Sequence, residues 1–192
     1  MVKTDDFEQV EVQSTEALRA WLAAHHQQEE SIWIVTYKKH IEDKYVSSSE
    51  VLDELLCFGW IDGIRRKLDQ DRTMQLIGPR RAQHWSKTYK ERAAKLQEEG
   101  RMTPAGLACI ESSKAAGLWN FLDDVDALIK PADLIEALDA TPPAMENFNA
   151  FAPSAQRFTL RWIKLAKTAK TRAKRIARAA ELAAKNEKIP GL

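Results

Sequence analysis

Hydrophobic and polar residues follow the two-residue period of strands in parts of the first half of this chain, and from about residue 84 they follow the helical period throughout. The segment from Ser31 to Lys38 carries apolar side chains on both faces, which is typical of a central strand covered on both sides. A shorter alternating segment, Phe7 to Val12, predicts a strand before it. Trp60 to Leu68 and Arg72 to Gly78, separated by three polar residues, predict a β-hairpin.

Helical spacing of apolar residues predicts the remaining elements. A helix capped by Ser14 or Thr15 carries Leu18, Trp21 and Leu22 on one face. Ser47 and Glu50 fit a capping box at the start of a second helix, and Gly59 suits the left-handed residue after its end. The further predicted helices are Lys87 to Glu99, one capped by Thr103 with Pro104 at its first position, Pro131 to Leu138, Pro142 to Phe151, Ala155 to Lys167 and Arg172 to Lys185, with Thr141 and Ser154 as caps.

These elements predict an α+β fold. A small, mainly antiparallel sheet of about four strands lies in the N-terminal half, flanked by helices, and the C-terminal half is a set of several helices. We expect residues 1–130 to form an α+β domain with the central hairpin, and residues 131–192 to form a helical region packed on it. A separate helical subdomain beginning near residue 130 is the alternative. The pattern does not specify an oligomeric state.

Charge is distributed unevenly over the 192 residues, although the net charge is only +1. Residues 157–188 hold eleven Lys or Arg and two acids, and the rest of the chain is net acidic. No run reaches the roughly 18 apolar residues that a membrane span requires. The N-terminal residues lack the apolar segment of a signal peptide, so we expect a cytoplasmic protein. Cys57 and Cys109 are accordingly predicted to be reduced thiols.

Several familiar catalytic motifs are absent from the sequence. It has no phosphate-binding loop, no dinucleotide-type glycine pattern, no paired Cys-x-x-Cys, no His-Glu-x-x-His and no nucleophile elbow. His25 and His26 are adjacent late in a predicted helix, where they face different directions. We therefore predict no metal site and no cofactor.

The segment Gly59 to Gly63 brings glycines, aromatic residues and an acid together. Asp62 follows Trp60 and Ile61 at the end of an apolar helix, so its carboxylate is expected to be partly buried and to need a partner. A glycine bulge at Gly63 fits the hairpin better than a turn there. Asp62 is then either a strut that holds the hairpin or an acid that faces a ligand. The expected partners are Arg65, Arg66, Arg80 and Arg81.

A second segment, Pro79 to Lys87, follows the return strand of the hairpin. Arg80 and Arg81 precede Trp85 and Ser86 at the predicted start of a helix, and a helix N-terminus near guanidinium groups binds anions well. The alternative is that the two arginines are solvated and Trp85 is a core residue. The candidate ligand-binding residues are Trp60, Asp62, Arg65, Arg80, Arg81, Trp85 and Ser86.

Four motifs in order resemble a known family. They are Cys57-Phe58-Gly59-Trp60-Ile61-Asp62-Gly63, Pro79-Arg80-Arg81, Trp85-Ser86-Lys87 and Gly100-Arg101-Met102-Thr103-Pro104-Ala105-Gly106. Together with Trp162-Ile163 and the segment Thr171 to Ile176, they resemble the YdeI/OmpD-associated, bacteriocin-protection family from about residue 30 to residue 187. This chain has Thr88-Tyr89 where members often have a hydrophobic residue and an asparagine. The resemblance implies protection against bacteriocins or cationic peptides and carries no catalytic residue or cofactor.

Three functions follow from these features. The first is a cytoplasmic stress-protection protein that binds a small polar or anionic ligand near Gly59–Gly63 and Pro79–Lys87. The second is an interaction module whose basic C-terminal helix binds an acidic protein, nucleic acid or anionic lipid. The third is an enzyme that uses Asp62 as an acid or base. The candidate polyanion-binding residues of the second are Arg172, Lys174, Arg175 and Arg178.

Overall fold

The computed structural model describes residues 6–190, which contain four strands and nine α-helices. The residues on which the sequence argument against a signal peptide depends lie mostly outside this range. The strands are β1 (Gln9–Glu11), β2 (Ile32–Tyr37), β3 (Trp60–Lys67) and β4 (Arg72–Pro79). The helices are α1 (Thr15–His25), α2 (Ser48–Cys57), α3 (Lys87–Glu98), α4 (Pro104–Ala115), α5 (Asp123–Asp126), α6 (Ala132–Asp139), α7 (Ala144–Ala150), α8 (Pro153–Lys164) and α9 (Ala169–Ala184).

The four strands form one mixed sheet in the order β1-β2-β4-β3. β1 pairs with β2 in parallel, and β4 pairs antiparallel with both β2 and β3. The predicted α+β class with a mainly antiparallel sheet is therefore confirmed. β2 lies inside the sheet, and five of its six residues are buried, as its two apolar faces predicted.

The hairpin of β3 and β4 contains the predicted irregularity. Asp62 pairs with Ile77 and Arg65 pairs with Gln75, so β3 has one more residue than β4 between these two pairs. This β-bulge confirms the interpretation of Gly63. Residues 63–67 of β3 are exposed, whereas Trp60 is buried. The bulge thus divides β3 into a buried start and an exposed end.

The turn from α2 into β3 places the start of the hairpin. Ser47 and Glu50 form the predicted capping box at the beginning of α2. After α2, Gly59 has φ = +74°, the left-handed conformation that glycine adopts without strain. A Cβ atom on Gly59 would lie 2.9 Å from Cβ of Cys109, so α4 approaches this turn too closely for a side chain.

The chain divides into two compact units, one up to residue 120 and one from residue 121. The first unit has a core between the sheet and α1–α4, built on residues such as Leu18, Ile34 and Leu55. The second unit is helical and has its own core, which includes Leu134, Phe148 and Ile176. The predicted boundary at residue 130, and the packing of one region on the other, stay predictions.

Two predicted helix caps in the second unit are wrong. α7 begins after Pro143 rather than at Thr141, whose hydroxyl donates to the Ala137 carbonyl. α8 begins after Ala152 with Pro153 in its first turn, so Ser154 lies inside the helix. At α8 the proline sets the start because its fixed φ suits the first turn and its missing N–H is not needed there. The connection between α4 and α6 also contains the short helix α5.

Candidate functional site

Asp62 lies on β3 directly before the bulge and is half-buried. Its Oδ1 atom accepts a hydrogen bond from the Tyr89 hydroxyl at 2.5 Å, and its Oδ2 atom accepts one from the Gln75 side-chain amide at 3.2 Å. Tyr89 is in α3 and Gln75 is in β4, so Asp62 links the hairpin to a helix. Its two hydrogen-bond donors are thus neutral groups of the neighbouring strand and helix, and of the expected arginine partners Arg80 interacts with Asp62 through its charge.

Arg80 follows β4 and is 9% exposed. Its backbone N–H donates to the Gly59 carbonyl at 3.0 Å, which fixes it beside the turn into β3. Its Nη2 atom donates to the His84 carbonyl at 3.0 Å. The guanidinium carbon lies 4.0 Å from the ring centroid of Trp85 and 5.2 Å from that of Tyr89. Arg80 therefore lies among aromatic rings with Asp62 close by, in favourable cation–π contacts.

Three donor atoms in this region have no acceptor within residues 6–190. They are Nε and Nη1 of Arg80 and Nε1 of Trp85, and all three are buried. A buried donor without a partner costs about 1–3 kcal/mol. Native proteins satisfy nearly all such groups, so three together are an unusual feature.

Burial determines the protonation of this region. It lowers the pKa of Arg80, although Cys109, Tyr89 and Asp62 partly oppose this; an arginine side chain nevertheless stays protonated. Burial, followed by the hydrogen bond to Asp62, raises the pKa of Tyr89, so Tyr89 is a neutral phenol at pH 7. Burial likewise raises the pKa of Cys109, which keeps it a thiol rather than a reactive thiolate.

Some of the predicted site residues lie together and others do not. Tyr89 joins Asp62 to Arg80, and Arg80 contacts Trp85 directly. With Gln75 they form what we call the Arg80 cluster: Asp62, Gln75, Arg80, Trp85 and Tyr89. Trp85 is 1% exposed and packs on Trp119, with ring centroids 4.8 Å apart.

The other predicted residues make separate contacts. Trp60 is in the core, where its indole N–H donates to the His26 carbonyl at 3.0 Å. Arg65 donates to the Thr73 hydroxyl, and exposed Arg81 donates to the Glu29 carbonyl. Ser86 occupies the N-cap position of α3, but its side chain makes no capping hydrogen bond.

Sequence reasoning missed Tyr89 and Gln75. Tyr89 had one signal, since it stands where members of the resembled family often have an asparagine. Gln75 had none, because the polar side chains of β4 look alike until the register of the hairpin is known.

A second polar cluster in the first unit was also missed. Glu54 is 2% exposed, and its two carboxylate oxygens accept from Arg19 at 2.7 Å and Arg101 at 2.8 Å. Arg19 also donates to the Arg101 carbonyl. We call Arg19, Glu54 and Arg101 the Glu54 cluster.

The four candidate polyanion-binding residues of α9 differ in their surroundings. Arg172 donates twice to Asp133, at 2.7 and 2.8 Å, and Arg175 donates to the Trp162 carbonyl and lies over the Trp162 ring. Arg178 pairs with Glu181 at an exposed position, and Lys174 is exposed. Ile176 and Leu182 of this helix are buried.

Two features are absent from the part of the chain that the structure describes. No group of three or more His, Cys, Asp or Glu side chains there is arranged to hold a metal ion. None of the helices between residues 6 and 190 combines the length and the apolar character needed to span a bilayer.

Comparison with known proteins gives two matches to family models. Residues 10–109, just over half of the chain, match the family described as "Domain of unknown function (DUF8412)". Residues 127–186 match the family described as "Bacteriocin-protection, YdeI or OmpD-Associated". The second match confirms the resembled family over residues 127–186 and indicates a bacteriocin-protection-type function, whereas the four motifs between residues 57 and 106 lie in the part that matches the first family. The Arg80 cluster lies within the first match. No curated protein and no solved structure matches the chain.

Proposed function

We propose that this chain, which belongs to the DUF8412 family through residues 10–109, is a cytoplasmic protection protein that binds a small polar or anionic ligand at the Arg80 cluster. Its YdeI/OmpD-associated, bacteriocin-protection domain lies at residues 127–186. The protection role follows from the second family match. The binding role follows from the contacts of Arg80, and each role can be tested alone.

The observation that carries the binding role is the set of three buried donors on Arg80 and Trp85 that lack an acceptor. A protein that used Arg80 only as a strut would be more stable with these donors satisfied. A ligand with acceptor atoms supplies the missing hydrogen bonds and also offsets the buried positive charge.

Asp62 and Tyr89 support Arg80 in this proposal. Both oxygens of Asp62 accept hydrogen bonds from protein groups, so Asp62 holds Tyr89 in place beside the guanidinium. This arrangement fits binding better than acid–base catalysis, which would require the Asp62 carboxylate to contact a substrate.

The polyanion-binding alternative has weaker support. Arg172 and Arg175 are engaged by Asp133 and Trp162, so a polyanion would have to compete with contacts inside the second unit. Only Lys174 and Arg178, among the four candidates, have largely exposed side chains.

The experiment that tests the protection role is done in cells. A strain that lacks this protein is exposed to graded doses of a bacteriocin that inhibits it, and is complemented with the wild-type chain, Arg80→Gln or Arg161→Gln. Arg161 is an exposed residue of α8, so Arg161→Gln makes the same change of charge away from the cluster. We expect the wild type and Arg161→Gln to protect and Arg80→Gln to fail at equal abundance. Equal protection by all three would contradict the proposal.

A further inference from the structure

We infer that the ligand of the Arg80 cluster is a monocarboxylate, an inference that rests on the proposed function and names the chemical class of its ligand. The evidence is the type of the unpaired atoms, the charge of the cluster and the two rings that cover Arg80.

The unpaired atoms are all donors. Nε and Nη1 of Arg80 and Nε1 of Trp85 are nitrogen atoms that carry hydrogen, and within residues 6–190 no buried side-chain acceptor is left without a partner. The ligand must therefore present acceptor oxygens and needs no donor of its own. This requirement excludes amines and other cations.

The charge of the cluster favours a single negative charge. Arg80 contributes one positive charge and Asp62 contributes one negative charge, while Gln75, Tyr89 and Trp85 are neutral. A monoanion that binds Arg80 brings one charge near the Asp62 carboxylate, and a dianion brings two. The attraction to Arg80 doubles as well, but the cost of moving an ion from water into a half-buried site rises with the square of its charge, so we expect a dianion to bind at least about tenfold more weakly.

The surroundings of Arg80 favour a flat ligand. The Trp85 and Tyr89 rings lie 4.0 and 5.2 Å from the guanidinium carbon, and Nη2 already donates to the His84 carbonyl. An acceptor must then approach an edge of the guanidinium, in its plane. Nε and Nη1 lie on different edges of the guanidinium, so each can donate separately in the plane; a planar carboxylate fits between the two rings more easily than a tetrahedral phosphate.

Two sources could supply a carboxylate. One is a free small acid, and the other is the C-terminal carboxylate of a peptide. Both present the same group to Arg80, so they differ only in what the remaining part of the molecule contacts.

The test follows the two unpaired side chains directly by ¹⁵N–¹H NMR of the full chain. The Nε–H signal of Arg80 is assigned with Arg80→Gln, and the indole signal of Trp85 with Trp85→Phe. The protein is titrated at constant ionic strength with acetate, N-acetyl-alanyl-alanine, the amide of that peptide, and inorganic phosphate. If Trp85→Phe does not fold, the Arg80 signal alone carries the test.

The inference expects saturable shifts of both signals with acetate or with the peptide acid, none with the peptide amide, and at least about tenfold weaker binding of phosphate. Saturation by acetate supports a free acid, and saturation by the peptide acid alone supports a chain terminus. Arg80→Gln should weaken the binding, read from the Trp85 signal, by about thirtyfold or more, and Arg161→Gln should leave it unchanged.

Two results would overturn the inference and differ in what they leave standing. Phosphate binding as tight as carboxylate binding would reject the monocarboxylate but keep an anion site at Arg80. The absence of shifts with every probe would also reject it, and would show that aromatic faces or water satisfy these donors. The proposed function fails separately, if Arg80→Gln protects cells as well as the wild type does.

Discussion

Two buried charged residues in the first unit differ in how completely their polar atoms are hydrogen-bonded. Glu54 is 2% exposed and both of its oxygens are paired, one with Arg19 and one with Arg101. Arg80 is 9% exposed, makes one side-chain hydrogen bond to a carbonyl, and has two donor atoms without an acceptor. The two charges are similarly desolvated, so their pairing and not their depth distinguishes them.

The difference separates a charge that serves stability from one that serves binding. A buried ion is tolerated in a structural role when every one of its polar atoms is satisfied. A binding residue must instead leave donor or acceptor atoms unpaired until its ligand binds, which lowers the stability of the free protein. The Glu54 cluster fits the first description and the Arg80 cluster fits the second.

The largest expected effect on stability comes from the Glu54 cluster, in which both carboxylate oxygens are hydrogen-bonded. Glu54→Gln removes one charge of a buried network and leaves Arg19 and Arg101 without their shared partner. We expect the free energy of unfolding to fall by about 2–3 kcal/mol, measured by urea denaturation, because the charged hydrogen bonds are lost while the two arginines, 38% and 35% exposed, can still be solvated. Glu111→Gln, an exposed acid of α4, is the matched control and should change little. A loss below about 1 kcal/mol for Glu54→Gln would remove the structural role.

Arg80→Gln should have a clearly smaller effect in the absence of ligand. The substitution loses the contact with His84 and the stacking on Trp85, but it also relieves the burial of an incompletely paired charge. We expect a change of about 1 kcal/mol or less in the free energy of unfolding. Arg81→Gln, at the exposed neighbouring position, provides the comparison. A loss as large as that of Glu54→Gln would make Arg80 a structural residue.

The Tyr89–Asp62 contact can be followed through the ionisation of Tyr89. Burial and then the hydrogen bond to Asp62 raise the pKa of Tyr89 in the folded state. The neutral phenol therefore stabilises the fold fully below the unfolded-state pKa of about 10, and this contribution is lost as the pH rises through the folded-state value.

Asp62→Asn should lower the pKa of Tyr89 while leaving it above the ordinary value, because burial is the larger cause. The measurement is a tyrosinate absorbance titration in a Tyr37→Phe background, since the hydrogen bond to Glu11 raises the pKa of Tyr37 as well. An unchanged Tyr89 titration would show that Asp62 does not hold this phenol.

The smallest expected effect concerns a pair that is satisfied but exposed. Arg172 and Asp133 form two hydrogen bonds across α9 and α6, yet their side chains are 32% and 46% exposed. Solvent screening limits such pairs, so Arg172→Gln should cost only about 0.5 kcal/mol in thermal or urea unfolding. A cost near that of Glu54→Gln would show that pairing alone, without burial, explains the Glu54 cluster.

Features set by near neighbours in the chain could be predicted from the sequence. The two apolar faces of β2, the capping box of Ser47 and Glu50, the left-handed Gly59 and the bulge at Gly63 each depend on a few consecutive residues. They were identified for that reason.

Contacts between distant residues could not be predicted in the same way. Glu54 meets Arg101, and Asp62 meets Tyr89, across 47 and 27 positions of the chain. The sequence indicated that Asp62 needs a partner, because burial of a lone carboxylate is unfavourable, but it contained nothing to select a tyrosine over four nearby arginines. The expected caps of α7 and α8 were wrong for a similar reason, since several neighbouring residues could begin each helix.

The most direct test of the central claim is native mass spectrometry of the protein released gently from cells, comparing the wild type with Arg80→Gln and Arg161→Gln. If the Arg80 cluster binds a ligand, the wild type and Arg161→Gln should each carry one adduct of defined mass, and Arg80→Gln should be found at the mass of the bare chain. An adduct that persists in Arg80→Gln, or a wild-type protein that carries none, would contradict the claim that the unpaired donors of Arg80 and Trp85 form a ligand site.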